Sequence, residues 1–569
     1  MHSFTRRNLL AGLACSGLSL SSGAALGKSI ASQSSRYRDT AFLEIIREPD
    51  FVTAFLGLNQ PLQLSRTAAC WEASGIRVRT EAGRHDLPIY VAAPGRRPTH
   101  IHLRWSIAAT ASLLVLGDHW ERSYGDLHWS CVVPERVMPW YFMTYHAESL
   151  HGYGVKTGSG ALCFWQLDPE GISLWLNVSN GGTGVDLGER ELLAATVVSH
   201  RGEPHEDPMS AARSFCAKMC DAPRPAPSVI YGSNDWYYAY GENSAEQIVR
   251  DAELISSLAP PKGERPFTVI DDGWKNKKAY PDMAALAQDI RHQGTRPGLW
   301  VRPLEPPRDA ASSLLLPKER FGARSRRTGL TYDPTIPEAL ESVLGKVKEA
   351  TAWGYELVKH DYTTFDLFGQ WGFEMKAQPT SSEWNFHDRS RTNAEIVREF
   401  YANIRRAAGD RTILIGCNTI GHLAAGLFEV QRTGDDVSGK NWERTRRMGV
   451  NTLAYRLPQH RTFFLMDADC VPITTATPWS SNKQWLDLVA RSGTVLFVSP
   501  EPKAVGEEQR QALRDAFQVL LSAGEHVRPI EWQTTTTPDR WEFGDRHRQG
   551  YIQRKYDWYQ NSGAWPFDV

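Results

Sequence analysis

Short apolar segments between about residues 229 and 470 end, one after another, in residues that can do chemistry. Carboxylates dominate these positions, accompanied by tryptophan, lysine and arginine. Two carboxyl groups in one site can divide a reaction between them, because one can act ionised while the other supplies a proton. The residues are Asn234-Asp235-Trp236, Asp271-Asp272-Gly273-Trp274, Trp300 and Arg302, Lys359-His360-Asp361, Cys417-Asn418, Arg432 to Asp436, and Asp467-Ala468-Asp469.

Each group alone could be a turn, a surface ion pair or a helix cap, so a shared site requires elements that bring the groups together. Helical spacing of apolar residues at Ala245–Leu258, Ile336–Trp353 and Asn393–Ala408 separates the apolar segments. Eight strands alternating with helices over about 280 residues indicate a (β/α)8 TIM barrel, whose active site lies just after its strands. The predicted strands are 229–231, 267–270, 298–301, 355–358, 412–415, 428–430, 463–466 and 495–498.

A doubly wound open sheet is the alternative, but the Gly-rich turn that normally follows its first strand is missing from this sequence. Before the barrel, residues 35–222 form short alternating runs between Gly, Pro and Asn turns, which predicts an N-terminal antiparallel β-sandwich. The Pro-rich segment 222–227 predicts a linker, and the barrel is expected over 227–525. Residues 526–569, rich in Trp and Tyr, are expected to form a short C-terminal β appendage.

Four segments of the predicted barrel, taken in order, resemble glycoside hydrolase family 36 and its clan, the α-galactosidases and related enzymes. There is also some likeness to the raffinose-synthase-like branch of that family. The resemblance covers residues 227–525, and a preceding β-sandwich fits the family's architecture. The segments are Val269-Ile-Asp-Asp-Gly-Trp274, Gly298-Leu-Trp-Val-Arg-Pro303, Val358-Lys-His-Asp361 and Arg432-Thr-Gly-Asp-Asp436.

This resemblance implies a retaining α-glycosidase in which Asp361 is the nucleophile and Asp436 the acid/base. It also implies that the Asp271-Asp272 pair binds sugar hydroxyls, with Lys359 near the 3- and 4-hydroxyls and Arg432 near the 2-position. Tryptophans after the strands are candidate walls for stacking on the sugar ring. The predicted substrate-binding residues are Asp271, Asp272, Trp274, Trp236, Trp300, Lys359, Arg432, Asp435, Cys417 and Asn418.

The residue types suit a retaining mechanism, which needs one ionised and one protonated carboxyl group about 5 Å apart. Lys359 is expected to keep Asp361 ionised. Asp435 is expected to help Asp436 hold its proton, because neighbouring carboxylates oppose joint ionisation. Spacing alone does not decide which of these two is the acid, and the resemblance favours Asp436. His360 is expected only to pack or hydrogen-bond beside the site.

Three departures from the family pattern surround the predicted sugar site. The fifth strand is followed by Cys417-Asn-Thr-Ile-Gly-His422 rather than a glycine-rich Cys-x-x-Gly-Gly segment. The third strand ends in Val-Arg-Pro303 where Ile-Glu-Pro is common, and Tyr362-Thr-Thr364 follows Asp361 in place of an Asn-containing sequence. An insertion at about residues 365–391, with Trp371 and Trp384, is expected to be either an extended aglycone site or a mobile lid or surface loop.

The leading hypothesis is hydrolysis of a terminal α-galactoside or a relative such as an α-N-acetylgalactosaminide. Transglycosylation to a sugar acceptor is the alternative within the same chemistry, and a non-catalytic carbohydrate-binding protein is the alternative outside it. The expected partner is an oligosaccharide or glycoconjugate. The sequence leaves the sugar, the linkage and the oligomeric state open, and a homo-oligomer is compatible with it.

The charge balance, the missing motifs and the cysteine spacing argue against several other classes of function. The 64 Lys and Arg residues nearly balance the 65 Asp and Glu residues, whereas a nucleic-acid binder would show a basic excess. The sequence contains no phosphate-binding or dinucleotide motif, so no cofactor is expected. Seven cysteines follow the N-terminal segment; their spacing matches no zinc motif, and a structural disulfide or two is compatible with them.

The N-terminus has the pattern of an export signal. Arg6-Arg7 precede an apolar run from Leu9 to Leu20, and the small-residue segment Ala24-Ala25-Leu26-Gly27 follows. The paired arginines resemble a twin-arginine signal. We therefore expect residues 1–27 to be a signal peptide of an exported bacterial protein, periplasmic or extracellular, with no membrane insertion after its removal.

Overall fold

A computed structural model of the protein describes residues 42–107, 112–324, 329–524 and 526–567. The predicted signal peptide lies outside these residues. Elements are numbered in chain order.

Two antiparallel sheets occupy the N-terminal part, as predicted. Alternate residues of their strands are buried; in β5, for example, Ile76 and Val78 are buried while Arg77 is exposed. The six-stranded sheet has the order β2 (Pro61–Gln63), β1 (Phe51–Phe55), β7 (His100–Ser106), β13 (Gly171–Asn177), β12 (Leu162–Asp168), β9 (Met138–Pro139). The eight-stranded sheet has the order β3 (Ser65–Arg66), β4 (Trp71–Ala73), β5 (Ile76–Thr80), β6 (Asp86–Ala92), β14 (Leu192–Arg201), β11 (Ser149–Val155), β10 (Tyr141–His146), β8 (Leu114–Gly117).

The two sheets pack against each other through large apolar side chains. Phe142 of β10 lies against Trp165 of β12, with ring centroids 5.8 Å apart. Helix α1 (Pro208–Met219) follows the sheets, and its Phe215 packs edge-on against Tyr141. The N-terminal part is therefore a β-sandwich with one helix on its surface.

A parallel sheet of nine strands follows, and it carries the candidate site. From β15 to β21 the order in space follows the order along the chain, whereas a doubly wound sheet reverses direction at a switch point. Asp467 bridges Val495 next to β23, so the sheet curls until its ends meet. The order is β21 (Leu465–Asp467), β20 (Val430–Arg432), β19 (Ile413–Gly416), β18 (Leu357–His360), β17 (Arg296–Val301), β16 (Phe267–Ile270), β15 (Tyr231–Asn234), β23 (Leu496–Pro500), β22 (Val471–Ile473).

Helices alternate with these strands, as predicted. α3 (Ala245–Leu258) begins at Ser244, whose side chain accepts the backbone N–H of Gln247, and α7 (Asn393–Ala408) begins with a capping box. The other helices are α2 (Trp236–Ala239), α4 (Met283–His292), α5 (Pro337–Ala352), α6 (Thr363–Phe368), α8 (Gly421–Ala424), α9 (Trp442–Thr445), α10 (Asn451–Arg456), α11 (Trp479–Ser492) and α12 (Glu507–Leu521). Within the described ranges, none of the helices is long and apolar enough to cross a lipid bilayer.

The C-terminal segment forms a small antiparallel sheet of β24 (Val527–Pro529), β25 (Arg540–Phe543) and β26 (Ile552–Lys555). Its tryptophans Trp541 and Trp558 are buried, and both indoles donate to the carbonyl of Pro538. Tyr455 of α10 donates to the carbonyl of Trp532, which ties this sheet to the parallel part of the molecule.

Candidate active site

A cavity of about 90 Å³ opens where the strands of the parallel sheet end. Ten of the predicted site residues line it, and Trp274 and Asp435 do not. Arg122, Tyr237, Tyr362 and Trp371 complete its wall. The ten are Trp236, Asp271, Asp272, Trp300, Lys359, Asp361, Cys417, Asn418, Arg432 and Asp436.

A larger cavity of about 1200 Å³ lies at the opposite ends of the strands. Its charged groups are engaged with one another: Arg291 and Arg296 both bind Glu356, and Arg224 binds Glu429. These ion pairs lie at the N-terminal ends of the strands, the face of a barrel where residues usually serve stability. The smaller cavity is therefore the better candidate for chemistry.

Asp361 follows β18 and is held by three hydrogen-bond donors. The indole of Trp300 donates to Oδ2 at 2.8 Å, while the side-chain amide of Asn418 and the backbone N–H of Tyr362 each donate to Oδ1 at 2.6 Å. Both carboxylate oxygens therefore accept hydrogen bonds, and the donors come from three different strand ends. This arrangement fixes the orientation of the carboxylate toward the cavity.

Tyr362 adopts a left-handed conformation with φ of 67°, which is costly for an aromatic residue. The guanidinium carbon of Arg302 lies 4.2 Å from the centre of its ring, and Arg302 in turn makes two hydrogen bonds to Asp366, at 3.0 and 2.6 Å. Arg302 and Tyr362, two of the residues that depart from the family pattern, are therefore in contact. Together they hold the backbone N–H that binds Asp361.

Lys359 pairs with Asp271 rather than with Asp361. The ammonium nitrogen lies 2.7 Å from Oδ2 of Asp271, which also accepts a hydrogen bond from Asn234. Burial alone would lower the pKa of Lys359, but the negative charges around it, Asp271 first and Asp361 among them, together outweigh burial and hold that pKa well above its usual value. Asp361 is one of the charges that act on Lys359, as expected, but its hydrogen bonds come from neutral donors.

Asp436 lies between two buried arginines. Its Oδ1 accepts hydrogen bonds from Arg122 and from Arg432, both at 3.0 Å. Burial would raise the pKa of Asp436, but the charges of Arg122, Arg432 and Lys359 outweigh it and lower that pKa to about 2. The prediction that Asp435 makes Asp436 hold its proton is therefore wrong for the free protein, because these cations dominate the neighbouring carboxylate.

Asp435 does not line the cavity and pairs with arginines behind Asp436. Its carboxylate binds Arg122 at 2.8 Å and Arg444 at 2.7 Å, and its backbone N–H donates to the carbonyl of Ser123. Of the two candidates for a proton donor, only Asp436 lines the cavity. Of the two carboxylates that sequence spacing left open, the geometry therefore favours Asp436 as the candidate.

Two further predicted residues act as supports. The indole of Trp274 donates to the carbonyl of Trp300 at 2.8 Å and packs edge-on against Trp353, so its ring is turned away from the cavity. His360 is buried and bonds to Thr363, as expected for a residue beside the site. Burial lowers the pKa of His360 to about 3, so its imidazole is neutral.

Arg122 comes from outside the parallel sheet. It lies in the loop 118–126 that follows β8 of the sandwich, 314 residues before Asp436. The pattern of residues at the strand ends does not predict this contact, since it joins two distant parts of the chain. Tyr237 is similarly placed by α2, where its hydroxyl donates to the Asp469 carboxylate that also binds Arg432.

The described residues contain no cluster of three or more His, Cys, Asp or Glu side chains that could hold a metal ion. The seven cysteines from Cys70 to Cys470 are all free thiols. Cys417 lines the cavity, where burial raises the pKa of its thiol well above the usual value.

No protein-family model matches this chain, and no curated protein matches it in sequence. Solved structures match its fold. An α-galactosidase from Thermus thermophilus, in complex with p-nitrophenyl α-D-galactopyranoside, has a TM-score of 0.58 and 17% identity, covering 89% of this chain and 99% of that one. A family 36 α-galactosidase from Geobacillus stearothermophilus, in complex with 1-deoxygalactonojirimycin, has a TM-score of 0.58 and 11% identity over 88% of this chain and 80% of its own.

The chain has the fold of the family 36 α-galactosidases. The galactosidase domain of an α-galactosidase–sucrose kinase matches as well, with a TM-score of 0.51 and 15% identity over 87% of this chain and 76% of that domain. The predicted resemblance is therefore confirmed at the level of the fold. At such identities the α-galactosidase fold does not itself specify the reaction, which must be argued from the site.

Proposed function

We propose that this protein is a retaining α-glycosidase that cleaves terminal α-galactosides or closely related α-glycosides. The observation that carries the proposal is the placement of Asp361 and Asp436 on one cavity in contrasting surroundings. Asp361 is oriented by neutral donors, whereas Asp436 is held by cations. In this proposal the curled sheet is a (β/α)8 barrel that binds the sugar at the carboxyl ends of its strands.

In the first step, Asp361 attacks C1 of the bound sugar while the bond from C1 to the leaving-group oxygen breaks. Asp436 gives its proton to that oxygen, so the leaving group departs neutral. In the second step, Asp436 takes a proton from water, which attacks C1 and releases Asp361. Two displacements at C1 restore the α-configuration, which makes the enzyme retaining.

Asp436 needs a proton for this role, and a bound sugar supplies two reasons for it to gain one. A sugar hydroxyl that engages Arg432 withdraws that cation from Asp436, and exclusion of water strengthens the penalty for a buried charge. Both effects raise the pKa of Asp436 in the complex. The remaining polar groups, Asp271, Asp272 and Lys359, are placed to bind hydroxyls of the same ring.

The galactose assignment is supported by neighbours in fold whose structures hold p-nitrophenyl α-D-galactopyranoside and 1-deoxygalactonojirimycin. A panel of aryl α-glycosides tests it, with α-galactoside and α-N-acetylgalactosaminide expected to be cleaved and the product anomer followed by NMR. Cleavage of α-glucosides alone would overturn the sugar while leaving the mechanism intact. Transfer products in the presence of a sugar acceptor would instead favour transglycosylation.

Asp361→Ala tests the nucleophile. We expect activity to fall by at least about 10⁴-fold, since the covalent step is lost. Incubation of the parent with 2-deoxy-2-fluoro-α-galactosyl fluoride should leave a labelled peptide that contains Asp361, as read by mass spectrometry. A parent protein that binds sugars without cleaving any of them would support the non-catalytic alternative.

A further inference from the structure

Another cavity, of about 320 Å³, is lined jointly by the sandwich and by the insertion at residues 365–391. Among the described residues that line this cavity and the candidate active site, none is common to both. Its volume lies at the lower end of the range of small-molecule sites, roughly 300–1,000 Å³. The lining includes Thr99, Asn177 and Ser179 of the sandwich and Gln378, Thr380 and Ser382 of the insertion.

The insertion is bonded to the sandwich before and after the segment that lines this cavity. Before it, Gly372 donates its backbone N–H to Oε1 of Glu121 at 3.0 Å. A Cβ atom on Gly372 would lie 2.3 Å from Cγ of Glu121, so only glycine permits this approach. After it, the carbonyl of Trp384 accepts the backbone N–H of Gly182 at 2.9 Å. These contacts hold the insertion in place, which gives the cavity fixed walls and argues against a mobile lid.

Hydroxyl, amide and imidazole groups form the sandwich side of the cavity. The hydroxyl of Thr99 donates to the carbonyl of Phe55 at 3.2 Å, and the hydroxyl of Ser179 donates to the carbonyl of Thr99 at 3.2 Å. The side-chain amide of Asn177 is bonded to Nε2 of His100 at 3.1 Å. A hydroxyl that donates one hydrogen bond keeps lone pairs that can accept another. This side is therefore ordered by its own bonds and still offers acceptors to a ligand that carries hydroxyl groups.

The outer part of the lining combines apolar and polar side chains. Leu58 is 52% exposed, so an apolar surface lies open at the cavity. Gln378 and Ser382 are exposed as well, and their amide and hydroxyl groups can both donate and accept hydrogen bonds. A ligand here meets apolar contact and hydrogen-bonding groups side by side.

The cavity is uncharged. Of the described residues that line it, none is Asp, Glu, Lys or Arg. Burial lowers the pKa of His100 to about 4, so its imidazole is neutral at physiological pH. A charged ligand would find no partner of opposite charge, and a wholly apolar ligand would leave the amide and hydroxyl groups without hydrogen bonds. The lining therefore suits a neutral molecule that has both hydroxyl groups and apolar surface.

We propose that this cavity is a second carbohydrate-binding site, which holds a neutral sugar unit of a glycan apart from the catalytic cavity. A sugar ring carries hydroxyls around its edge and C–H groups on its faces, which match the hydroxyl and amide groups of the lining and the exposed Leu58. The inference goes beyond the proposed function, because this site uses none of the residues of the candidate active site. A glycan bound here is kept near the enzyme without being cleaved at this position.

The test is saturation-transfer NMR on the full chain, with the methyl β-glycosides of glucose, galactose and mannose as probes. Excess 1-deoxygalactonojirimycin is added to occupy the proposed galactose site. At least one neutral glycoside should still receive saturation, whereas methyl β-D-glucuronide, which differs from the glucoside by a carboxylate, should not. The double variant Leu58→Ala/Gln378→Ala should weaken binding of the neutral glycoside at least about fivefold, because it removes an apolar contact and an amide.

Leu193→Ala is the matched control, since Leu193 is 46% exposed on the sandwich and does not line this cavity. It should leave sugar binding unchanged, and both variants should keep kcat/KM on α-galactosyl fluoride within about twofold of the parent. Saturation of none of the neutral glycosides, equal saturation of the glucuronide, or equal binding by the parent and the double variant would overturn the site. An equal loss with Leu193→Ala would also reject it.

A parent protein that does not cleave the fluoride would count against the proposed function alone. The two failures are distinguished because the double variant identifies the second site by binding, without any catalytic step.

Discussion

Arg122 contacts both carboxylates of the Asp435-Asp436 pair, and its charge is one of those that lower the pKa of the proposed acid. With a pKa of about 2, Asp436 is ionised in nearly all free molecules at neutral pH. The form with Asp436 protonated, which the proposed mechanism needs, is then a small fraction that grows as the pH falls. We therefore expect kcat/KM to be highest in acid.

Arg122→Met removes one of the two arginines from Asp436 and should raise its pKa. Because the acid works protonated, activity is lost as the pH rises through this pKa, so a higher pKa moves the basic limb of the kcat/KM profile to higher pH. We expect a displacement of about one pH unit or more. The measurement is kcat/KM against pH, with Arg104→Met, which breaks the Arg104–Asp168 pair in the sandwich, as the control. An unmoved basic limb would contradict the role given to Arg122.

Asp436 itself can be tested through the leaving group. Asp436→Ala should reduce kcat/KM on methyl α-galactoside at least about 100-fold more than on α-galactosyl fluoride, because fluoride departs without a proton. Similar losses on the two substrates would argue that Asp436 does not deliver the proton. The same pair of substrates with Asp361→Ala should show large losses on both, which separates the two roles.

Replacement of glycine by alanine is expected to have opposite effects on stability at two positions of the barrel region. Gly372→Ala should push the insertion away from the loop 118–126 and lower the free energy of unfolding by about 1–3 kcal/mol. Gly345 of α5 is exposed, and a Cβ there meets nothing within 4 Å. Gly345→Ala should stabilise by about 0.5–1 kcal/mol, since alanine is the better helix former. Urea denaturation measures both, and a destabilised Gly345→Ala would contradict the reading of α5.

Strands and helices of the barrel could be predicted from the sequence, because apolar periodicity reflects local burial. The polar residues that follow the predicted strands likewise included Asp361 and Asp436, which line the cavity. The contact of Lys359 with Asp271 and the orientation of Trp274 away from the cavity depend on side-chain directions, which the sequence does not give. Arg122 and the anchoring of the insertion were out of reach, because they join residues separated by more than 250 positions.

Arg456 connects the two large parts of the molecule. Its buried guanidinium binds the carboxylate of Asp118 at 2.7 Å and donates to the carbonyls of Glu121 and Thr433. The loop that delivers Arg122 is thereby fixed to the sixth strand of the barrel region. A barrel segment produced without the sandwich would lack Arg122, so its folding and its chemistry would both be incomplete.

Arg456→Met should lower the free energy of unfolding by about 3–5 kcal/mol, because it leaves Asp118 buried without its cation. The exposed pair of Arg97 and Asp186 provides the comparison, and Arg97→Met should cost less than about 1 kcal/mol. Denaturant midpoints of the two variants give the difference. Equal midpoints would show that Arg456 does not secure the contact between sandwich and barrel.

We propose that the chain is exported and that Arg6-Arg7 direct its export through a twin-arginine pathway. Replacing both by lysine should retain the protein in the cytoplasm of a bacterial host, whereas Arg77→Lys on the exposed face of β5 should not. Cell fractionation and immunoblotting measure the outcome. Unchanged export of the double-lysine variant would refute the twin-arginine assignment.

The loop 118–126 contacts the proposed acid through Arg122 and the insertion at residues 365–391 through Glu121 and Tyr124. We therefore expect the pH dependence and the substrate choice of the proposed enzyme to be coupled through this loop. Mutations selected for work at neutral pH would tend to alter which oligosaccharides are accepted, and the reverse also holds. Directed evolution of either trait should be carried out with both assays running in parallel.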